Sequence, residues 1–543
     1  MYNSHRQRVL AFVLGFLSCL LLPFGLRAEK APTLDWQHTL GGSLDDKAQF
    51  IIPTSDGGYL MVGRSMSKDG DLVKNRGNFD AWVVKLTSTG GVTWQNTYGG
   101  KRDDEAFSVV AVADGYLVAG ISGSIDGDIT DFHGGSGDAW VFKINLTGVL
   151  QWSKTYGGSL DDGAHSIVDA GDGSFVVAGY TFSNDGDVTG GVHGGVSDDY
   201  WVFKINGSGV LAWQKTYGGS SADQANQIIK TIDGGFAVVG NSESADGDVT
   251  GLHGQQSRPD FWVVKLSSSG SLIWQKTYGG SGEDIAESIV ETLDSGYAIA
   301  GYTTSDDFNV KDPRGDYDCW VIKVRKTGTL QWATTLGGMN QDQAFSIVNT
   351  RDSGFAILST TLSNDSDVKG LHNAAGAAGD LWVTKLTPVG YLAWQKTLGG
   401  SAHDEGSCIL ATSDRGYLVV GMTKSTDSDV TGQHGGGDAW IVKLKADPSE
   451  VAPNTASANI SLSIFPNPSN TIAHVSYTLE HATQIRMTLY NVIGEPLGVI
   501  VDTREEAGSH TAAIDLSHFP SGEYFLKSTV GARTELTPIT IRR

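Results

Sequence analysis

Fourteen tryptophans fall into two interleaved series, and none lies outside them. One series is Trp36, Trp94, Trp152, Trp213, Trp274, Trp332 and Trp394; the other is Trp82, Trp140, Trp201, Trp262, Trp320, Trp382 and Trp440. Each recurs every 58 to 62 residues, so the chain from 34 to 446 is one unit written seven times. Self-similarity at a fixed period marks a repeat architecture and constrains the fold before any local propensity is read.

The third unit shows what one repeat contains. Leu150 to Gly157 reads as a short strand ending at Gly-Gly, and a second strand runs through Ile167 and Val168. Asp172-Gly173 is a hairpin turn, Phe175 to Tyr180 the next strand, and a long polar loop follows. A strand from Asp199 to Ile205 and a turn from Asn206 to Gly209 return the chain to the next tryptophan. Four short strands with Gly/Asp turns per unit, seven times over, predict an all-β fold: a seven-bladed β-propeller with four antiparallel strands per blade. The period exceeds the WD40 and kelch lengths, the excess lying in the polar loop. A β-helix has shorter coils and parallel strands, and two hairpin turns per unit speak against it. The block opens on a lone strand around Trp36 and ends at Leu444 with no following strand. Placing Trp36 beside Trp440 closes the ring and removes two exposed edges. Ala48, Ala106, Ala164, Ala225, Ala286, Ala344 and Gly406 mark a crowded innermost strand. Both tryptophan series read as packing on the outer strands, since a sugar platform has no need to recur in every blade.

The net charge of −22 excludes a nucleic-acid partner, whose phosphates require a basic face. Arg6 and Arg8, the apolar run Val9 to Leu22 and Ala28 read as a signal peptide over 1–28. After its cleavage no segment is long and apolar enough to span a membrane. Cys319 and Cys408 lie too far apart in the repeat to form a disulfide.

Each unit carries acidic residues at three places. An Asp follows the Gly-Gly in every unit, from Asp46 to Asp404. The long loop carries Asp-Gly-Asp, including Asp69/Asp71, Asp126/Asp128, Asp185/Asp187 and Asp246/Asp248, or Asp-Ser-Asp at Asp365/Asp367 and Asp427/Asp429. Blade five departs with Asp306-Asp307-Phe308-Asn309. His133, His193, His253, His372 and His434 follow in five blades, and a third Asp precedes each Trp82-series residue. Chain direction gathers these loops on one face. Turn chemistry accounts for them, because Asp side chains accept backbone N–H bonds in tight loops. Calcium is the functional alternative, with Asp126, Asp128, Asp185, Asp187, Asp246, Asp248, Asp427 and Asp429 as candidate ligands, although the spacing is not that of an EF-hand. No other cofactor is indicated, and one His per loop falls short of a zinc site. Catalysis needs unlike residues in unlike roles, so a singular site should appear as a departure from the repeat. Arg76 in blade one and Arg314 in blade five stand where other blades have His or a nearby loop residue, and read as loop drift.

Beyond a polar linker at 447–459 the repeat stops, and residues 460–543 alternate like a small β-sandwich. This stretch carries Phe465-Pro466-Asn467-Pro468, Leu489-Tyr490-Asn491-Val492-Ile493-Gly494, Gly508-Ser509-His510, Asp515-Leu516-Ser517 and Pro520-Ser521-Gly522-Glu523-Tyr524-Phe525. It resembles the type A C-terminal sorting domain of the type IX secretion system of Bacteroidetes, with Arg542-Arg543 where Lys is usual. Pro466, Asn467, Pro468, Gly494, Gly522 and Tyr524 carry the match. The resemblance implies export to the cell surface or the medium and the type IX machinery as a partner. The repeat block looks like secreted propeller-type repeats joined to such domains, which names no ligand. The expectation is an exported propeller that binds glycan or protein. A polysaccharide-acting hydrolase or lyase and a calcium-stiffened structural protein are the alternatives.

Overall fold

The computed structural model describes residues 30–448 apart from 73, 191, 194–196 and 375, and residues 463–543 apart from 468, 480–481, 492–495 and 531–532. The expected signal peptide, residues 449–459 of the linker, Pro468 and Gly494 lie outside the described residues. The chain divides into two compact units, Met1–Glu450 and Val451–Arg543.

In the first unit the described strands form seven four-stranded antiparallel sheets. A lone strand β1 (Leu34–Leu40) precedes the first sheet, which holds β2 (Asp46–Pro53), β3 (Tyr59–Ser65), β4 (Asp80–Leu86) and β5 (Val92–Tyr98) in sequence order. Five further sheets repeat this meander. The seventh takes its fourth strand from the start of the chain: β1 pairs antiparallel with Asp438–Leu444, Thr39 opposite Trp440. Trp440 Nε1 donates to Gln37 Oε1 at 2.8 Å, the same bond that Trp82 makes to Gln95 at 2.9 Å within the first sheet. Each sheet packs against the next, and β2 of the first packs against the seventh.

Burial explains the two tryptophan series. Trp82, Trp140, Trp201, Trp262, Trp320, Trp382 and Trp440 sit on the third strand of each sheet, fully buried between neighbouring sheets. The Trp36 series lies on the fourth, outermost strand, where all but Trp394 are partly exposed. Large apolar groups are therefore placed where sheets must be held apart, and each fully buried indole removes some hundreds of Å² from water. The first strand carries the small residues, all buried. Ala48 faces Gly63 on the second strand, and the equivalent Gly240 admits no side chain: a Cβ there would lie 1.9 Å from the Gln224 carbonyl oxygen.

In the second unit one sheet holds Ser463–Phe465, Ile472–Leu479 and Gly508–Asp515; the other holds Pro496–Glu505, Thr483–Asn491, Gly522–Val530 and Arg533–Ile541. Both contribute to one apolar cluster that includes Val475, Met487, Leu489, Ile514, Leu526 and Ile539. No helix long and apolar enough to cross a membrane occurs among the described residues.

Candidate functional site

The acidic loops hold each sheet to the next through backbone bonds such as that from the Asp104 N–H to the Phe79 carbonyl. Asp46 is fully buried; its carboxylate accepts the Gly42 N–H at 2.8 Å and the Ser67 hydroxyl at 2.7 Å. The first Asp of Asp-Gly-Asp caps the Gly-Gly turn: Asp185 accepts the Ser159 N–H, Asp246 that of Ser220 and Asp427 that of Ser401, each at 2.7 Å, and Asp126 that of Lys101 at 3.0 Å. These bonds hold Asp185, Asp246 and Asp427 below the usual carboxylate range, and the Lys101 ammonium does so for Asp126. The middle residue takes left-handed backbone, as at Gly186 (φ +62°), and the loop of the fifth sheet fits the same frame despite its sequence. Asp307 accepts the Ser281 N–H at 2.7 Å, Phe308 occupies the glycine position at φ +49°, and Asn309 replaces the second Asp. That loop is a substituted copy of the motif and not a departure from it.

In five loops the second Asp faces a basic side chain from the preceding sheet. His133 Nε2 lies 3.9 Å from Asp187, His193 Nε2 3.9 Å from Asp248, and His372 Nε2 3.6 Å from Asp429. Arg76 pairs with Asp128 and Arg314 with Asp367 in the same relation. The two arginines therefore hold the histidine position, a correction to reading them as drift. Their backbone N–H groups confirm it: Arg76 donates to Asp80 at 2.7 Å as His193 donates to Asp199 at 2.8 Å. His253, facing Asn309, lies against the Phe308 ring instead, at 5.1 Å. Burial holds His253 below its ordinary range. For His193 the carboxylates of Asp199, Asp248 and Asp223 outweigh burial and raise it. The Asp before each buried tryptophan is itself buried, with Oδ2 bonded to the loop and Oδ1 without a partner among the described residues. Burial pushes Asp80, Asp138, Asp199 and Asp380 up to about 6 and Asp260 to about 8. Asp126, Asp185, Asp246 and Asp427 thus already serve as acceptors in turns. Among the described residues no group of three or more His, Cys, Asp or Glu side chains is disposed to hold a metal.

The singular place lies at the first strands. Every one carries a β-bulge immediately after the small residue, between Ala48 and Phe50 in β2 and at the equivalent step in the other six. A regular strand sends consecutive side chains to opposite faces; a bulge breaks that alternation and re-aims a side chain. Consecutive pairs therefore face one cavity of ≈ 240 Å³: Phe107 and Ser108, His165 and Ser166, Asn226 and Gln227, Glu287 and Ser288, Phe345 and Ser346, Ser407 and Cys408, with Phe50 completing the wall. All seven sheets contribute to it.

The two tiers differ in kind. The second tier is structural: Ser108, Ser288 and Ser346 hydroxyls accept the N–H groups of Ile167, Ile347 and Ile409 on the next sheet, each at 3.2 Å, and Gln227 accepts that of Ile289 at 2.6 Å. The bulge residues themselves are Gln49, Phe107, His165, Asn226, Glu287, Phe345 and Ser407, so six residue types share one repeat position. His165 donates from Nδ1 to the Ala225 carbonyl at 2.9 Å, and Asn226 donates to the Ala286 carbonyl at 3.0 Å. Burial pushes Glu287 up to about 7 and His165 down. None of these bulge residues was singled out from the sequence. The available signal was variability beside the invariant small residue, which reads as noise until the bulge turns it inward.

In the C-terminal unit the motif residues brace the chain end. Asn467 Oδ1 accepts the Thr540 N–H at 2.8 Å, Tyr524 donates to the Pro520 carbonyl at 2.9 Å, and Gly522 opens the strand paired with Ile541. The Pro466 peptide bond is cis. Residues 463–542 match the family described as the secretion system C-terminal sorting domain. The C-terminal unit is a type IX sorting domain. The sorting domain makes this an exported chain, delivered by the type IX machinery to the cell surface or extracellular space. Other likenesses of the chain are weaker. The chain is 26% identical over 188 residues to the regulatory protein FlaEY of Caulobacter vibrioides, covering 33% of this chain and a fifth (20%) of that one. Among solved structures it is similar to the extracellular domain of a one-component system of B. thetaiotaomicron (TM-score 0.38, 11% identity, 92% of this chain and 57% of that one). Another is an aldose sugar dehydrogenase of Streptomyces coelicolor (TM-score 0.33, 11% identity, 76% of this chain and 99% of that one). Likenesses this slight carry no argument about activity.

Proposed function

We propose that residues 34–446 form a seven-bladed β-propeller closed by β1, that the sorting domain is a small β-sandwich, and that the exported chain is a binding module for glycan or protein. The pairing of β1 with Asp438–Leu444 and a cavity shared by all seven first strands support the ring. The observation that carries the binding reading is the break in the repeat at that cavity. Elsewhere the polar residues recur sheet after sheet, as packing and turn chemistry require. At the bulge position alone, aromatic, imidazole, amide and carboxyl side chains stand side by side around a concave space, the usual composition of a ligand site. A hydrolase or lyase acting on polysaccharide would need two carboxyls of separated pKa, whereas Glu287 is the single carboxyl among the residues lining the cavity.

The test is a glycan array and a panel of surface-protein peptides, probed with the purified chain and with Phe107→Ala/Phe345→Ala. We expect ligands retained by the natural chain and lost by the variant. Equal retention by both would move binding away from the axis, and no retention by either would favour a purely structural surface protein.

A further inference from the structure

We propose that the axial cavity takes an organic ammonium group, with the Glu287 carboxylate as counter-ion and the Phe107 and Phe345 rings as walls; this rests on the binding-module reading and names the chemistry of its ligand. Three observations converge on it. The bulge turns Glu287 into the cavity. Two other bulge residues that line the cavity, His165 and Asn226, each spend a donor on a carbonyl of the next sheet, a bond that a carboxylate cannot make. Glu287 has no hydrogen-bond or ion-pair partner among the described residues.

The charge around it is uneven. Lys47, whose charge reaches Glu287 and lowers it against burial, pairs with Glu405 at 2.7 Å, and Arg64 pairs with Glu105 at 2.8 Å. Near sheets four and five, Asp198, Glu243 and Glu283 lie close enough that each of the other two raises Glu243 further, after burial. Aromatic rings gather on that side: Tyr302 lies 6.5 Å from Phe345 and 5.6 Å from Tyr317 between ring centroids. Burial disfavours the charged form of an unpaired carboxyl; an ammonium group reverses this by supplying the missing charge, and aromatic faces attract the same cation.

The groups facing Glu287 make the pH dependence readable. His165 protonates only below its ordinary range, the Cys408 thiol is pushed up to about 11, Tyr302 is pushed up, and Lys47 stays paired. Between pH 6 and 8 the cavity therefore titrates at Glu287, at about 7. Protons compete with the cation, so affinity falls as pH falls.

The experiment is calorimetric titration of the full chain at pH 8 with two matched pairs. Choline is compared with 3,3-dimethylbutanol, its uncharged isostere, and Nα-acetyl-lysine methylamide with its Nε-acetylated form. We expect each cation to bind at least about tenfold tighter than its uncharged mate. Glu287→Gln should abolish that preference, and lowering the pH to 6 should weaken choline binding by about tenfold. Binding of choline alone assigns a small cationic ligand, and binding of the lysine probe alone assigns a protein side chain. Equal affinity within both pairs, or a preference that survives Glu287→Gln, overturns the proposal. Should that variant not fold, a pH-independent choline affinity in the natural chain overturns it as well. If neither cation binds while the glycan and peptide panel still shows axial binding, the ammonium assignment falls and the binding module stands; if the panel also fails, both fall.

Discussion

At the residue scale, the repeat works as its own control. The buried indole N–H of the third-strand tryptophan finds a partner thirteen residues on: Gln95, Ser153, Gln214, Gln275 and Gln395 serve Trp82, Trp140, Trp201, Trp262 and Trp382. In the fifth sheet the position is Ala333, and Trp320 Nε1 is buried without a partner. An unsatisfied buried donor costs about 1–3 kcal/mol, so Ala333→Gln should stabilise the chain by about 1 kcal/mol, less the side-chain ordering. Chemical denaturation followed by tryptophan fluorescence checks this. A midpoint at or below that of the natural chain would mean that water already satisfies the indole. The asymmetry was open to inspection in the sequence, but its meaning was not: only the register sets Ala333 opposite Ile322, two residues from Trp320 along the same strand face.

At the element scale, the loops lock one sheet to the next. Asp185 and Asp187 were candidates for calcium. In the structure Asp185 caps Ser159, and the Asp187 N–H donates to the Gly157 carbonyl at 2.9 Å while its carboxylate faces His133. A calcium ion would have to displace donors already in place. Changing both to Asn should therefore lower the melting temperature by the same amount in calcium and in chelator. A loss confined to calcium would establish the metal site instead. The sequence disclosed the motif and its spacing. It set Arg76 and Arg314 near the histidine position but did not disclose that they meet Asp128 and Asp367, because loop lengths differ between sheets and only the common backbone bond to Asp80 or Asp318 aligns them.

At the scale of the whole molecule, two carboxyl populations oppose each other with pH. In the hairpin turns, Lys85 and its six equivalents reach Asp56 and its equivalents. The Lys85 ammonium holds Asp56 far below the usual range, and against the cost of burial Thr231 and Lys265 hold Asp233 at about 2. Carboxyls lowered by folding stabilise above pH 3.8, and that contribution is lost as pH falls toward 2. The buried set, raised by burial to about 6 at Asp80, Asp138, Asp199, Asp342 and Asp380 and to about 7 at Asp223, has the opposite sign. Their contribution is present below pH 3.8 and lost as pH rises through 6 to 8. His193, raised, acts in the same direction; His165 and His253, lowered, act against it. With more groups in the raised set, the melting temperature should peak near pH 4 and decline toward pH 8. A melting temperature rising steadily from pH 5 to 8 would refute this. The net charge of −22 adds self-repulsion in the same direction.

Sequence alone determined what repetition and motif can carry: the all-β class, the four-strand unit, the spare first strand, the composition break near residue 446 and the sorting domain. Each is a local pattern, set by strand period, turn residues or a short motif. Two things were decided only by tertiary structure. The first is which aspartates are buried, since the acidic residues at the three places of one unit look alike in sequence and differ only in what packs over them. The second is the set Phe107, His165, Asn226, Glu287, Phe345 and Ser407. These residues are separated by 58 to 62 positions and share a cavity because a bulge interrupts strand alternation at the same step of each first strand. A bulge is a hydrogen-bond register between two strands, and no single strand's sequence records it.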